Sequence, residues 1–303
     1  MNVIRPITMT DAMLVSSTIS EPGSVETAWS SLTTYSLGDT VSIISANSHK
    51  TYESLDNSNT NNPPATSAKW EYTGYTNRWK MFDETRNAKS VGNSPMTIIV
   101  QPGQRISAFA LIGMEADYLE VSISEGGVEK YTYSENLLKR EVLNWYDFFF
   151  EPFTSKPAVA KFDVPPLADP VITITLTSTS GIVSLGRFAF GMHTYIGKFL
   201  LDGASMPSVN YSTVDRDEFG NAVLTPRVDI PTIRGNLHIE ARRLNKVRDI
   251  FKDLNGRVAI WAGVDQSDHP YFDISLINGF VREKTPSPVT DKYVRIGLEI
   301  EEI

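Results

Sequence analysis

Cysteine is absent from the 303 residues, which excludes disulfide staples, thiolate catalysis and cysteine-ligated zinc together. Histidine is scarce. His49, His193, His238 and His269 are the only four, and none stands in a His-x-x-x-His spacing. Neither a Gly-x-Ser-x-Gly elbow nor a Gly-x-x-x-x-Gly-Lys-Ser/Thr loop occurs, so common signatures of serine hydrolases and nucleotide-binding loops are missing. Basic residues are outnumbered: 28 Lys and Arg stand against 36 Asp and Glu, a net charge of −8. Nucleic acid and anionic membrane are therefore not expected as partners, because the basic stripe that counterion release requires is lacking. The nearest approach to one, Arg242, Arg243, Lys246 and Arg248 followed by Asp249 and Asp253, reads as a solvated helix face. No apolar run approaches the length of a membrane span. Met1 to Pro6 offers no apolar core of a signal peptide. The expectation is a chain made in a cytoplasm that leaves it inside something larger, without membrane insertion.

What is present is a globular composition, 41% hydrophobic and 21% charged, at a length that predicts two or three domains. Residues Met1 to Ser20 read as a leader strand that packs on later domains, with Ile4, Ile7, Met13, Leu14 and Val15 as anchors. From Glu21 to Tyr75 large aromatics recur among turn residues: Trp29, Tyr35, Gly38-Asp39, Val41, Tyr52, Pro63-Pro64 and Trp70. Gly38-Asp39 supplies a turn, and Thr40-Val41-Ser42-Ile43 alternates as a half-buried strand does. A unit of this size without disulfides must draw its stability from a few large side chains, so Trp29, Tyr35, Tyr52 and Trp70 are first of all core candidates. Left in solvent, the same rings would suit a sugar, whose C–H groups pack on an aromatic face.

Between Trp79 and Tyr195 short β-branched and aromatic runs follow one another, among them 97–100, 106–112, 118–123, 159–164, 171–176 and 182–190. Turns such as Pro102-Gly103 and Gly126-Gly127 divide several of them. Such spacing predicts a β-sandwich or jelly roll. Within this block Asn144 to Phe153 gathers Trp145, Tyr146, Phe148, Phe149, Phe150 and Phe153 into ten residues. That density predicts either a core or inter-domain seam, or a surface that meets a neighbouring subunit.

From Ile196 to Ile303 the pattern changes again. One helix is predicted near 244–254, where Val247, Ile250, Phe251 and Leu254 share a face and Asn255-Gly256 ends it. Strands are expected at 234–241, 258–262, 271–279 and 293–300, the last alternating Val294, Ile296, Leu298 and Ile300. The sum is a β-sheet crossed by a single amphipathic helix.

Candidates for chemistry are thin. Asp265, Asp268 and His269 form a loop of possible metal ligands that reads better as a polar turn. Asp215, Asp217 and Asn221 superficially follow a calcium loop, but Pro226 stands at the twelfth position in place of Glu. A turn between two strands is expected there. Glu115 with Asp117, or Asp215 with Asp217, could be imagined as glycosidase carboxylates, and nothing in their spacing selects them. No catalytic residue, metal site or cofactor is therefore assigned, and the chain is not expected to be an enzyme.

The order Ala28-Trp29, Tyr35-x-x-Gly38-Asp39-x-Val41, Tyr52, Pro63-Pro64, Trp70 resembles small chitin- and cellulose-binding modules. At the position where hydrolase-borne modules of this kind usually carry exposed aromatics, this chain reads Glu53-Ser54-Leu55-Asp56. Further on, Gly186-Arg187-Phe188-Ala189-Phe190-Gly191, Tyr211-Ser212, Asp217-x-Phe219-Gly220-Asn221, the strand-helix-strand and the Leu298-Glu299-Ile300-Glu301-Glu302 ending are similar to minor or distal tail proteins of long-tailed bacteriophages. The resemblance implies a mainly β chain in parts: a carbohydrate-binding-like module over 21–78, a galactose-binding-like sandwich over 79–195 and a tail-tube-like or distal-tail-like domain with one helix over 196–303. It further implies a virion component of the tail tip or baseplate that forms homo-oligomers, meets other tail proteins and touches host-surface glycans through Trp29, Tyr35, Tyr52 and Trp70. A binding module of another extracellular assembly is the alternative, and a polysaccharide-degrading enzyme the more remote one.

Overall fold

The computed structural model describes residues 1–85, 88–140, 142–264 and 269–303. It is mainly β, with 52% of residues in strands and 10% in helices, and the chain divides into two compact units. One comprises Met1–Pro6, Ala160–Phe162 and Phe190–Ile303; the other comprises Ile7–Val159 and Asp163–Ala189.

In the first unit the strand Asn2–Pro6 lies between residues 191–195 and the strand Ala259–Ala262, antiparallel to both. The sheet continues through Leu276–Pro288, Tyr293–Glu302 and Asp229–Glu240 to Lys198–Ser205. Alternation sets its inner face: Leu237 and Ile239 line up with Val294, Ile296, Leu298 and Ile300 in one buried cluster, as a side-chain period of two requires. Backbones approach closely where a Cβ on Gly279 would overlap the Glu301 carbonyl and one on Gly191 the Arg5 carbonyl. Only glycine fits there.

Helix α2, Leu244–Asp253, covers this cluster with Val247, Ile250 and Phe251. Phe251 stacks on Trp261, ring centroids 6.2 Å apart. Burying each such side chain stabilises by roughly 1.5–3 kcal/mol. Beyond the helix, Gly256 takes φ +70°, as the Asn255-Gly256 pair leads one to expect. The predicted strand 271–279 differs: residues Phe272–Ser275 form a short helix, α3, and the strand runs from Leu276. Phe272 and Ser275 are both buried, a spacing of three that one helical turn satisfies and a strand does not.

The second unit contains a five-stranded antiparallel sheet in the order Val128–Asn136, Tyr118–Glu125, Val171–Thr177, Met96–Val100, Leu14–Ser17. Val121, Ile174 and Ile98 sit opposite one another across three strands, and all are buried. The next row places Thr97 beside Thr175, their hydroxyls 3.3 Å apart. One face of the sheet is thus apolar and the other polar, as binary alternation predicts. Between Thr27 and Tyr75 the same unit carries a separate four-stranded sheet, Thr27–Ala28, Thr40–Ser45, Ser48–Ser54 and Trp70–Tyr75, in which only the first pair is parallel. Gly38 holds φ +86°, and the Asp39 carboxylate accepts the Ser36 N–H at 2.7 Å. That closes the turn into Thr40–Ser45.

A helix not foreseen in the sequence, α1, spans Trp145–Phe150. Asn144 caps it by accepting the Asp147 N–H at 3.0 Å, and the Asp147 carboxylate accepts the Leu143 N–H at 3.0 Å. Local polar side chains therefore satisfy part of its first turn.

Candidate interaction surfaces

The four aromatics nominated for sugar contact converge on one another. Tyr35, Val41, Tyr52 and Trp70 form a buried cluster with Trp29 and Ile43 packed against it. Tyr35 meets Trp70 edge-on at 5.2 Å. The Trp70 indole N–H donates to the Asn62 carbonyl at 2.9 Å, and the Tyr35 hydroxyl accepts the Ser30 N–H at 2.8 Å. Tyr35, Tyr52 and Trp70 are buried in the core of the four-stranded sheet, and Trp29 packs against them half-buried. What stands in solvent is Tyr72, 50% exposed. It packs edge-on against Tyr52 across the strand pair, with the Lys50 ammonium 5.7 Å from its ring centre. Burial of its inner side raises the Tyr72 hydroxyl above its ordinary value, with Tyr75, Asp83 and Tyr52 adding to the shift. The sequence does not single out Tyr72; its place directly opposite Tyr52 is set by the strand register.

A second convergence went unnoticed in the sequence because its members lie far apart along the chain. The His49 ring is buried and both nitrogens face carboxylates: Nε2 lies 2.6 Å from Asp11 Oδ1 and Nδ1 lies 2.9 Å from Glu21 Oε1. Trp79 stacks on the imidazole at 4.0 Å, and its indole N–H donates to the other oxygen of Glu21 at 3.1 Å. Thr76 donates its hydroxyl to Glu21 as well. Burial pushes the Asp11 carboxyl up, but hydrogen bonds from the Asn47 N–H and His49 outweigh it and hold the group below its ordinary value. With every nitrogen and oxygen so engaged, the cluster acts as a clasp joining residues 11, 21, 49 and 76–79.

Of the carboxylates weighed for hydrolysis, Glu115, Asp117 and Asp217 make structural hydrogen bonds. Glu115 binds the Lys89 ammonium at 2.6 Å and the Ser184 hydroxyl at 2.9 Å. Asp117 accepts both the N–H and the hydroxyl of Thr179. These bonds hold both carboxyls low, the opposite of what a general acid needs. Asp217 accepts the N–H groups of Phe219 and Asn221 and the Asn221 side-chain amide, so it builds the turn of the hairpin Thr213–Arg216 and Ala222–Thr225. Asp265 and Asp268 lie outside the described residues, among which no group of three or more His, Cys, Asp or Glu side chains is arranged to hold a metal ion.

The aromatic run is the remaining feature. Trp145 is 81% exposed and Phe148, the least exposed of the six rings, 48%. Tyr146, Phe149, Phe150 and Phe153 are exposed as well. A core or inter-domain seam was one expectation for this stretch; within its own unit none of the six side chains is buried. Asp147 is the half-buried member of α1. The Arg140 guanidinium lies over Phe148 at 5.2 Å and Phe153 at 4.9 Å, which supports the rings from one side.

No family model, curated protein or solved structure matches the chain. Function must accordingly be argued from these surfaces.

Proposed function

We propose that the chain is a structural component of a larger particle, assembled through Trp145–Phe153 and touching host-surface glycan through the N-terminal aromatic sheet. A tail tip or baseplate of a long-tailed bacteriophage is the assembly that the sequence resemblance favours. In this reading residues 21–78 are a carbohydrate-binding-like module, residues 79–195 a sandwich and residues 196–303 a tail-tube-like domain. The observation that carries the proposal is the exposure of six neighbouring aromatic rings, since soluble monomers rarely present an apolar patch of that extent. Tyr72 supports the glycan part: a half-exposed ring beside Lys50, with Glu53 opposite Glu71 in the neighbouring cross-strand pair, offers a C–H-binding face and polar groups around it. Single contacts of that kind are weak and gain from several copies held side by side.

Retention of the full chain on purified cell-wall polysaccharide tests the glycan part. Tyr72→Ala is expected to abolish retention while leaving the melting temperature in place. Unchanged retention in Tyr72→Ala removes that ring from the reading. Release of reducing ends from the same polysaccharide would replace an adhesive role with an enzymatic one.

A further inference from the structure

The Trp145–Phe153 patch has a size, an angular spread and a charge pattern that select its occupant. We infer that it binds a second copy of itself, helix α1 against helix α1, about a two-fold axis; this rests on the reading of the patch as a subunit contact.

Size comes first. With a fully exposed aromatic side chain presenting about 200 Å², the exposures of the six rings leave roughly 800 Å² uncovered, which is one partner's share of a standard interface. Two such patches face to face reach the total that a stable dimer buries, without any other surface being recruited.

Spread comes next. At roughly 100° per residue, Phe148, Trp145, Phe149, Tyr146 and Phe150 sweep an arc of roughly 200°, interrupted on the far side by Asp147. A flat neighbour covers a stripe of about 100°. The occupant must therefore reach between the rings, and a second helix whose own rings protrude with gaps between them does so in the way ridges enter grooves.

Charge gives the patch a complement in itself. Among the described residues it carries both signs: Lys139 is exposed, Arg140 lies over two of the rings, and the exposed Glu151 follows α1. Cation and carboxylate at one patch can pair with their own copies. In an isologous contact each patch meets the same patch reversed, so Arg140 of one copy approaches Glu151 of the other.

The test uses the full chain. Sedimentation velocity at micromolar concentration is expected to give twice the monomer mass, and Phe149→Ser with Phe150→Ser is expected to halve it with an unchanged circular dichroism spectrum. Because the native chain has no cysteine, Phe150→Cys introduces a single thiol. Under a mild oxidant it should form a disulfide-linked dimer, whereas Leu32→Cys, exposed but off the patch, should not. A monomeric wild type, a dimer that survives the double substitution, or cross-linking equal at both positions would overturn the inference. Co-sedimentation of a monomeric chain with phosphatidylcholine–phosphatidylglycerol vesicles would assign the patch to lipid instead. A monomer that is captured by other tail proteins would defeat self-pairing and leave the assembly role standing.

Discussion

Helices α1 and α2 dispose of their apolar side chains in opposite ways. In α2, Val247, Ile250 and Phe251 are buried, and Asn245, Lys246, Arg248, Asp249 and Lys252 occupy the rest of its circumference. In α1 one Trp, one Tyr and three Phe take five of the six positions, and none is buried. Both segments demand cover, but only α2 concentrates that demand into a stripe that one sheet can meet. The contrast teaches that total hydrophobicity states how much surface seeks a partner, while its spacing decides whether the same unit can supply one.

The comparison breaks most visibly at Phe251. Phe251→Ala removes a buried ring stacked on Trp261 and should cost about 3–5 kcal/mol in urea unfolding; a loss near zero would mean that α2 is not anchored as described. The polar clasp should respond less. His49→Ala leaves Glu21, whose side chain is 5% exposed, short of a partner and should cost about 1–3 kcal/mol, with the transition still cooperative. An effect as large as that of Phe251→Ala would place the clasp, and not the apolar cluster, at the centre of stability.

Acid supplies a third probe. Asp11, Glu115, Asp117 and Glu135 are held below their ordinary values of 3.8 for Asp and 4.5 for Glu. A depressed carboxyl binds its proton more readily in the unfolded chain, so its contribution is present above the unfolded value and lost as pH falls through the folded one. Glu26 acts in the reverse sense: burial raises its carboxyl, and its contribution is lost as pH rises through that raised value. With more groups lowered than raised, the melting temperature should fall steadily as pH drops below 4.5. A melting temperature that rises toward acid would show that groups such as Glu26 dominate.

Much of the fold was legible in the sequence because its signals are local. The alternation at Val294–Ile300, the helix of Val247, Ile250 and Phe251, the Gly38-Asp39 turn and the hairpin turn at Asp217 all appear where the spacing placed them. Helix α1 was missed because five aromatics in six positions carry no period, and only the Asn144-x-x-Asp147 cap marked its start. Ser275 hid α3 in what looked like a continuous strand. The candidate sites were harder. Trp29, Tyr35, Tyr52 and Trp70 follow one another as a sugar platform would, yet a sheet this small draws Tyr35, Tyr52 and Trp70 inside and leaves Trp29 half-buried, a division that spacing alone does not announce. The His49 clasp joins segments up to 58 residues apart in its Trp79–Glu21 bond, a convergence that no local pattern announces.

The central claim is that α1 is a contact surface and α2 a core element, and the mass of the full chain in solution with and without the α1 rings tests it most directly. Compared at a dilution where the wild type is itself monomeric, Phe149→Ser with Phe150→Ser should change stability by no more than about 0.5 kcal/mol, as exposed positions do, while at micromolar concentration it should reduce the sedimenting species from dimer to monomer. A double variant that loses stability on the scale of Phe251→Ala, or that keeps the wild-type mass, would contradict the account.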